Sequence, residues 1–245
     1  VYIEKYIENP HHIEVQIMGD KYGNVVHLYE RECSIQRRNQ KVIEESPSPF
    51  VKEETRKKML KVAVEACKKI GYYSAGTLEF MMDKDQNFYF LEMNTRLQVE
   101  HPVTEECTGV DLVRDMITVA AGNPLPYKQD DIQFSGAAIE CRIYAEDPEN
   151  NFIPSPGVIT VREAPEGRNL RLDSAAYAGF EVSLHYDPMI AKLCCWGRTR
   201  ASAISNMARA LREYKILGIK TTIPFHQRVL KNAAFLKGCL LYKSD

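Results

Sequence analysis

Two periodicities divide the chain into its elements. A period of two marks strands: His12-Ile-Glu-Val-Gln-Ile-Met18 alternates, Gly19 to Asn24 supplies turn residues, and Val25-Val-His-Leu-Tyr29 returns, the signature of a hairpin. Val1 to Ile7 also reads as a strand. A period of three to four marks helices. Met59, Val62, Ala63, Ala66, Cys67 and Ile70 recur at helical spacing over 53–70 and stop before Gly71. Leu112, Val113, Met116, Ile117 and Ala120 do so over 110–121, and Ile204, Met207, Ala208 and Leu211 over 200–215. Gly122-Asn-Pro-Leu-Pro126 and the polar stretch to Asp131 interrupt the pattern and predict a domain junction. Beyond it, Ala137 to Tyr144 opens a strand-rich region punctuated by Pro154-Ser-Pro-Gly157 and Gly167. The expected class is α+β in two parts, with antiparallel sheets.

Phe88-Tyr-Phe-Leu-Glu-Met-Asn-Thr-Arg-Leu-Gln-Val-Glu-His-Pro102 carries the densest chemistry. Extended throughout, it places Glu92, Asn94, Arg96, Gln98 and Glu100 on one face. Leu91, Met93, Leu97 and Val99 take the other, interrupted by Thr95. A solvent-facing strand alternates in the same way, but this polar face mixes carboxylates, amides and a guanidinium. Upstream lies Gly76-Thr-Leu-Glu79-Phe, and Met82 to Asn87 between them reads as a turn. A hairpin would bring Glu79 near Glu92 and Asn94. Like charges opposed in a hairpin are unfavourable unless a cation sits between them. Two carboxylates and an amide oxygen suit Mg²⁺ or Mn²⁺. The same pattern also describes an ordinary exposed hairpin.

The 245 residues are 44% hydrophobic and 27% charged with a formal net charge of −1, an ordinary globular composition that gives no reason to expect a nucleic-acid partner. No apolar run is long enough for a membrane span, and no signal segment stands at the start. Seven cysteines, an odd number without a C-x-x-C pair, argue for reduced structural thiols and a reducing compartment. A strand beginning at residue 1 suggests a piece of a larger protein. Glu30 to Lys41 is rich in long donors. Arg37, Arg38 and Lys41 could hold phosphate or bicarbonate oxygens, or form a solvated basic loop paired with Glu44 and Glu45. No G-x-x-x-x-G-K-[ST] or G-x-G-x-x-G occurs, so a nucleotide site here is not of the Walker or Rossmann type. His101 could serve as a base but more often such a residue packs or caps. Arg142, alternating with Glu140 on an apolar strand, needs an ion-pair partner or a ligand.

Three longer runs carry a family likeness: Gln36-Arg-Arg-Asn-Gln-Lys41, Glu92-Met-Asn-Thr-Arg-Leu-Gln-Val-Glu-His-Pro-Val-Thr104 and Glu140-Cys-Arg-Ile-Tyr-Ala-Glu-Asp-Pro148. Pro154-Ser-Pro-Gly157, Tyr186-Asp-Pro-Met-Ile190 and Gly218-Ile-Lys-Thr221 extend it along nearly the whole chain. The chain closely resembles the biotin carboxylases, ATP-grasp enzymes that stand alone or within acetyl-CoA, propionyl-CoA, methylcrotonyl-CoA and pyruvate carboxylases. The likeness covers the family's C-terminal half and implies that an N-terminal domain and a glycine-rich lid lie outside these residues. It implies the second half of an ATP-grasp domain, an antiparallel sheet with helices, over residues 1–128. The α+β biotin carboxylase C-terminal domain would follow over 129–245.

By matching position, the resemblance makes Glu79, Glu92 and Asn94 metal ligands. It makes Lys41, Arg96, Gln98 and the backbone of Val99 the bicarbonate site, Glu100 the base that deprotonates bicarbonate, and Arg142 the residue that stabilises the biotin enolate. Glu4, Lys5, Tyr6 and Ile7 resemble the hinge strand that reads adenine; His12, Gln36 and Asn39 match positions at the nucleotide. Asn39 stands where many members have histidine, which puts one hydrogen bond in question. The implied reaction uses ATP, Mg²⁺ or Mn²⁺ and bicarbonate to carboxylate biotin through carboxyphosphate. The implied partners are a biotin carboxyl carrier protein or domain, a carboxyltransferase and, in the full-length protein, a second copy in a homodimer. The implied location is the cytoplasm, or the mitochondrial matrix of a eukaryote. Arg31 to Asn39 leans toward the propionyl-CoA type. Alternatives are a catalytically silent dimerisation module and an ATP-grasp ligase with another acceptor.

Overall fold

The computed structural model describes residue 1 and residues 3–238; Tyr2 and residues 239–245, the end of the predicted second domain, lie outside the described residues. Among the described residues the chain forms two compact units, one of residues 1–35 and 44–135, the other of residues 36–43 and 136–238.

The first unit is built on antiparallel strands. Strand β1 (His11–Gly19) lies between β2 (Val25–Arg37) and β4 (Ser74–Met82), and β4 pairs with β5 (Phe88–Asn94). The β1–β2 turn is held by Asp20, whose Oδ1 accepts from the amides of Tyr22 (2.8 Å) and Asn24 (3.0 Å). Asp83 does the same for the β4–β5 turn, accepting from the amides of Asp85 and Asn87, each at 2.9 Å. Both hairpins match the sequence pattern. Helix α1 (Glu53–Lys69) has acidic residues in its first turn and basic ones in its last, as its dipole favours. It buries Met59, Leu60, Ala63 and Cys67 against Ile13, Val15, Ile17, Leu78 and Phe80, the odd positions of β1 and the even positions of β4. A second core joins Met18, Val26, Leu28 and Ala75 to Leu112 and Val119 of α3 (Leu112–Ala120).

Two expectations fail here. Among the described residues, none of 3–7 is in a strand, because no neighbouring strand supplies the ladder. The strand read through 88–100 ends at Asn94, and α2 (His101–Thr108) begins after Glu100. Proline in the first helical turn and Gly109 in the left-handed region at φ 71° explain the helix and its end, two signals that the alternation masked.

In the second unit, β6 (Ala137–Tyr144) is buried along its length and pairs antiparallel with Met189–Gly197, which in turn pairs with Leu170–Ser174. Helix α4 (Arg200–Glu213) starts with a reciprocal cap between Thr199 and Ser202 and buries Ala203, Ile204, Met207, Ala210 and Leu211. The run read as a basic loop is the tip of a hairpin: Arg38 and Asn39 have φ of 50° and 64° between β2 and β3 (Gln40–Ser46). Arg37 is no solvated cation, and it does not pair with Glu44 or Glu45. It donates to both oxygens of Glu146 at 2.7 and 2.6 Å and lies 4.6 Å above the Phe152 ring. The six described cysteines are buried thiols. No described helix is long and apolar enough to cross a membrane.

Leu28 is fully buried on β2. Leu28→Ala is expected to lower the unfolding free energy by about 2–5 kcal/mol. Val113→Ser, at an exposed position of α3, should change it by less than about 0.5 kcal/mol. Denaturant titrations that rank the two variants the other way would contradict this core assignment.

Candidate active site

Backbone register places one row of charged residues straight across the four strands of the first unit. Arg31 of β2 stands opposite Glu14 of β1, Glu14 opposite Glu79 of β4, and Glu79 opposite Glu92 of β5. Cross-strand partners share a face at close approach, so three carboxylates repel one another along this row. Glu14 is fully buried and Glu79 is only 4% exposed, so water screens little of that repulsion. The next row, Gln16, Thr77 and Asn94, is polar as well.

The neutralising groups come from both ends. Arg31 is 0% exposed, and its two terminal nitrogens make five hydrogen bonds. Nη2 reaches Glu14 Oε2 (3.1 Å), Thr77 Oγ1 (3.2 Å) and Gln98 Oε1 (2.8 Å). Nη1 reaches Gln16 Oε1 (2.6 Å) and Thr104 Oγ1 (3.1 Å). Burial works against the guanidinium charge, but Glu14 and then Glu100 more than offset it, so its pKa is raised above the ordinary arginine value. His12 Nε2 lies 2.6 Å from Glu79 Oε2 and 3.3 Å from Glu14 Oε1.

At the other end of the row, Asn94 Nδ2 donates to Glu79 Oε1 (2.9 Å) and Glu92 Oε1 (3.1 Å). The amide's positive end thus stands where two carboxylates call for a cation. Exposed Arg96 donates to Asn94 Oδ1 at 3.1 Å. The two carboxylates suit a hard divalent cation by their chemistry; as the side chains stand, the amide nitrogen of Asn94 faces them and its oxygen faces Arg96.

Gln98 and Glu100 reach this face by another route than the predicted alternation. After Asn94 the chain leaves β5, and the Gln98 carbonyl accepts from the His101 amide at 3.3 Å as α2 begins. The His101 ring also lies against that carbonyl, Nδ1 at 2.7 Å, a packing role rather than a catalytic one. Gln98 Nε2 donates to Glu79 Oε1 at 2.7 Å. Glu100 is 2% exposed, and its carboxylate, that of Glu14 and the Cys33 sulfur lie within 4.8 Å of one another. Val99 is half-buried between them in sequence.

Glu4, Lys5 and Tyr6 are exposed and Ile7 is half-buried; Lys5 donates to the Tyr89 hydroxyl at 2.9 Å. In the second unit, Gln36 and Lys41 are half-buried and Asn39 is exposed on the hairpin tip. Arg142 is 8% exposed on β6, opposite Lys192 on the neighbouring strand. Its carbonyl accepts from Thr222 Oγ1 (3.2 Å) and His226 Nε2 (2.7 Å). Burial drives the His226 pKa down to about 4, so the ring is neutral and donates. A groove of about 480 Å³, lined by His27, Tyr29, Leu60, Val64 and Gln129 among others, contains none of the predicted site residues.

Sequence reading passed over Arg31, Glu14, Gln16 and Thr77. Glu14 and Gln16 sit at polar positions of an alternating strand, and alternation alone assigns them to solvent. The signal that could have exposed them was Arg31 itself, a charge at the register position facing Glu14.

Residues 1–128 match the family described as carbamoyl-phosphate synthase L chain, ATP binding domain, and residues 140–242 match the biotin carboxylase C-terminal domain. The chain is 55% identical to biotin carboxylase 1 of Bacillus subtilis over 97% of its own length and 53% of that protein's. It is 56% identical to a pyruvate carboxylase subunit of Methanothermobacter thermautotrophicus, over 97% of this chain and 48% of that one. The chain thus spans about half the length of the curated relatives it matches, and relatives named for different carboxylases match about equally well. The biotin carboxylase domain of Hydrogenobacter thermophilus 2-oxoglutarate carboxylase, a dimer solved with MgADP, ADP and bicarbonate, superimposes with a TM-score of 0.94 at 53% identity. That match covers 96% of this chain and 52% of the other.

The buried neutral His226 has a consequence for stability. The unfolded chain binds a proton at this residue below pH 6.5 and the folded chain only near pH 4. Its contribution is therefore complete above pH 6.5 and is lost as the pH falls toward 4. Between pH 7 and pH 5 the folded state should lose about 2 kcal/mol through this group. Denaturant unfolding of the parent chain and of His226→Gln at both pH values checks this: the variant should lose less, and equal losses would refute it.

Proposed function

The chain belongs to the biotin carboxylase family, and from that premise we propose that it supplies the metal and bicarbonate residues of an ATP-dependent carboxylation of biotin. The observation that carries this reading is the row Arg31–Glu14–Glu79–Glu92, with Asn94 and Gln98 bound to Glu79. A row of acids whose inner members are buried gains when Glu79 and its exposed neighbour Glu92 share a cation, and a phosphoryl-transfer site needs such a cation. Glu79, Glu92 and Asn94 would hold Mg²⁺ or Mn²⁺, which supplies charge neutralisation on the phosphates.

The chemistry then falls to the chain's own residues. Arg96 and Lys41 fix bicarbonate, a weak nucleophile, with Gln98 and the Val99 backbone orienting it. Glu100 takes the bicarbonate proton while a bicarbonate oxygen attacks the terminal phosphorus of ATP and ADP departs, giving carboxyphosphate. Carboxyphosphate releases CO₂ and phosphate; the phosphate takes the N–H proton of the ureido group of carrier-bound biotin, and the ureido nitrogen captures the CO₂. Arg142 meets the negative charge that develops on the ureido group, an oxyanion-type role in which losing one donor costs on the order of 3 kcal/mol. His12, Gln36, Asn39 and residues 4–7 belong on the nucleotide side. The partners are a biotin carrier and a carboxyltransferase, with a homodimer of the full-length protein, in the cytoplasm or mitochondrial matrix.

Positioned proton transfer contributes about 10²–10⁴-fold. Glu100→Gln in the full-length protein is accordingly expected to lower bicarbonate-dependent ATP cleavage by at least about 100-fold, read as phosphate release with and without bicarbonate; wild-type turnover would remove Glu100 as the base. Residues 1–245 alone, spanning half the length of their relatives, are expected to show no bicarbonate-stimulated cleavage with free biotin. Measurable turnover would overturn that second expectation.

A further inference from the structure

We propose that Arg31 is a positioning residue of the bicarbonate pocket, orienting the Gln98 amide and fixing the Glu100 carboxylate through the closed end of the charged row. This rests on the reading of the site given above.

Arg31 is wholly enclosed, and its fork draws together four pieces of chain: β1 through Glu14 and Gln16, β4 through Thr77, the turn after β5 through Gln98, and α2 through Thr104. The two strands belong to the rigid ladder. The turn and α2 do not, because residues 95–100 have left the sheet. Arg31 therefore adds a buried tie, beside the direct Gln98–Glu79 bond, between the sheet that carries Glu79 and the segment that carries Gln98 and Glu100.

The effect on Gln98 follows from donor and acceptor identities. A guanidinium only donates, so it must meet Oε1; an ionised carboxylate only accepts, so Glu79 must meet Nε2. The observed contacts are Arg31 Nη2 to Oε1 at 2.8 Å and Nε2 to Glu79 Oε1 at 2.7 Å. Glu79 holds the nitrogen end and Arg31 the oxygen end, so without Arg31 the oxygen end loses its buried donor. Glu100 is held differently: its carboxylate stands within 4.8 Å of that of Glu14, which Arg31 bonds at 3.1 Å, so the guanidinium offsets the repulsion between the two acids. Lysine cannot reproduce this. A single ammonium offers three donors on one atom, whereas here two nitrogens bond in two directions.

The test uses the full-length protein and steady-state kinetics of bicarbonate-dependent ATP cleavage, with the variants Arg31→Lys, Arg31→Met and Thr104→Val. Loss of orienting partners around a site typically costs about 10–100-fold. Arg31→Met should raise the bicarbonate KM by at least about 10-fold while the ATP KM moves by less than about 3-fold, and Arg31→Lys should recover part of the loss. Should Arg31→Met fail to fold, Thr104→Val decides: it removes one acceptor from the guanidinium without changing charge, and should raise the bicarbonate KM selectively. Folded variants with a wild-type bicarbonate KM, or with both KM values raised alike, would overturn the role of Arg31. A wild-type protein without bicarbonate-stimulated cleavage would instead overturn the reading of the site itself.

Discussion

Repulsion among Glu14, Glu79 and Glu92 is the constraint around which the first unit is arranged. Antiparallel register sets the three carboxylates side by side on adjacent strands, and burial of the inner two deprives them of water. Such a row persists only where positive or donating groups meet it. The fold answers asymmetrically. At the inner end a permanent cation, Arg31, is built into the sheet; at the outer end the answer is the side-chain amide of Asn94 and an open edge. The closed end meets the acids with a fixed charge and the edge strand meets them with an amide nitrogen.

The site is assembled by two different kinds of geometry. Glu79, Glu92 and Asn94 are placed by hairpin register, which tight Asp-based turns fix locally. Gln98 and Glu100 are placed by the chain leaving the sheet and entering α2. A position set by register tolerates little movement, because sliding one residue would turn every side chain to the opposite face. A position set by a turn needs a separate anchor, and the buried guanidinium supplies it. This division matches the chemistry expected of each group, a fixed cation cage beside a nucleophile-binding loop.

The second unit shows the same economy of polar contacts. Arg142 sits on a fully buried strand, with its backbone carbonyl accepting from Thr222 and from a histidine kept neutral by burial. Arg37 turns away from solvent to a bidentate pair with Glu146. In each case a polar group in an apolar setting has found a partner from a distant part of the chain, as desolvation requires.

The sequence by itself determined the local elements: both hairpins with their aspartate-led turns, helices α1, α3 and α4, and the meeting of Glu79 with Glu92 and Asn94, because turn chemistry and periodicity act over a few residues. The family likeness was legible too, carried by long runs of polar residues. Only the tertiary structure decided that β5 stops at Asn94 and that Arg31 is the buried centre of the charged row. It also decided that Glu14 shares the row with Glu79 and that Arg37 pairs with Glu146. Those outcomes depend on which residues 15 to 109 positions apart come to face one another, and alternation along one strand says which side a residue takes, not what stands across from it.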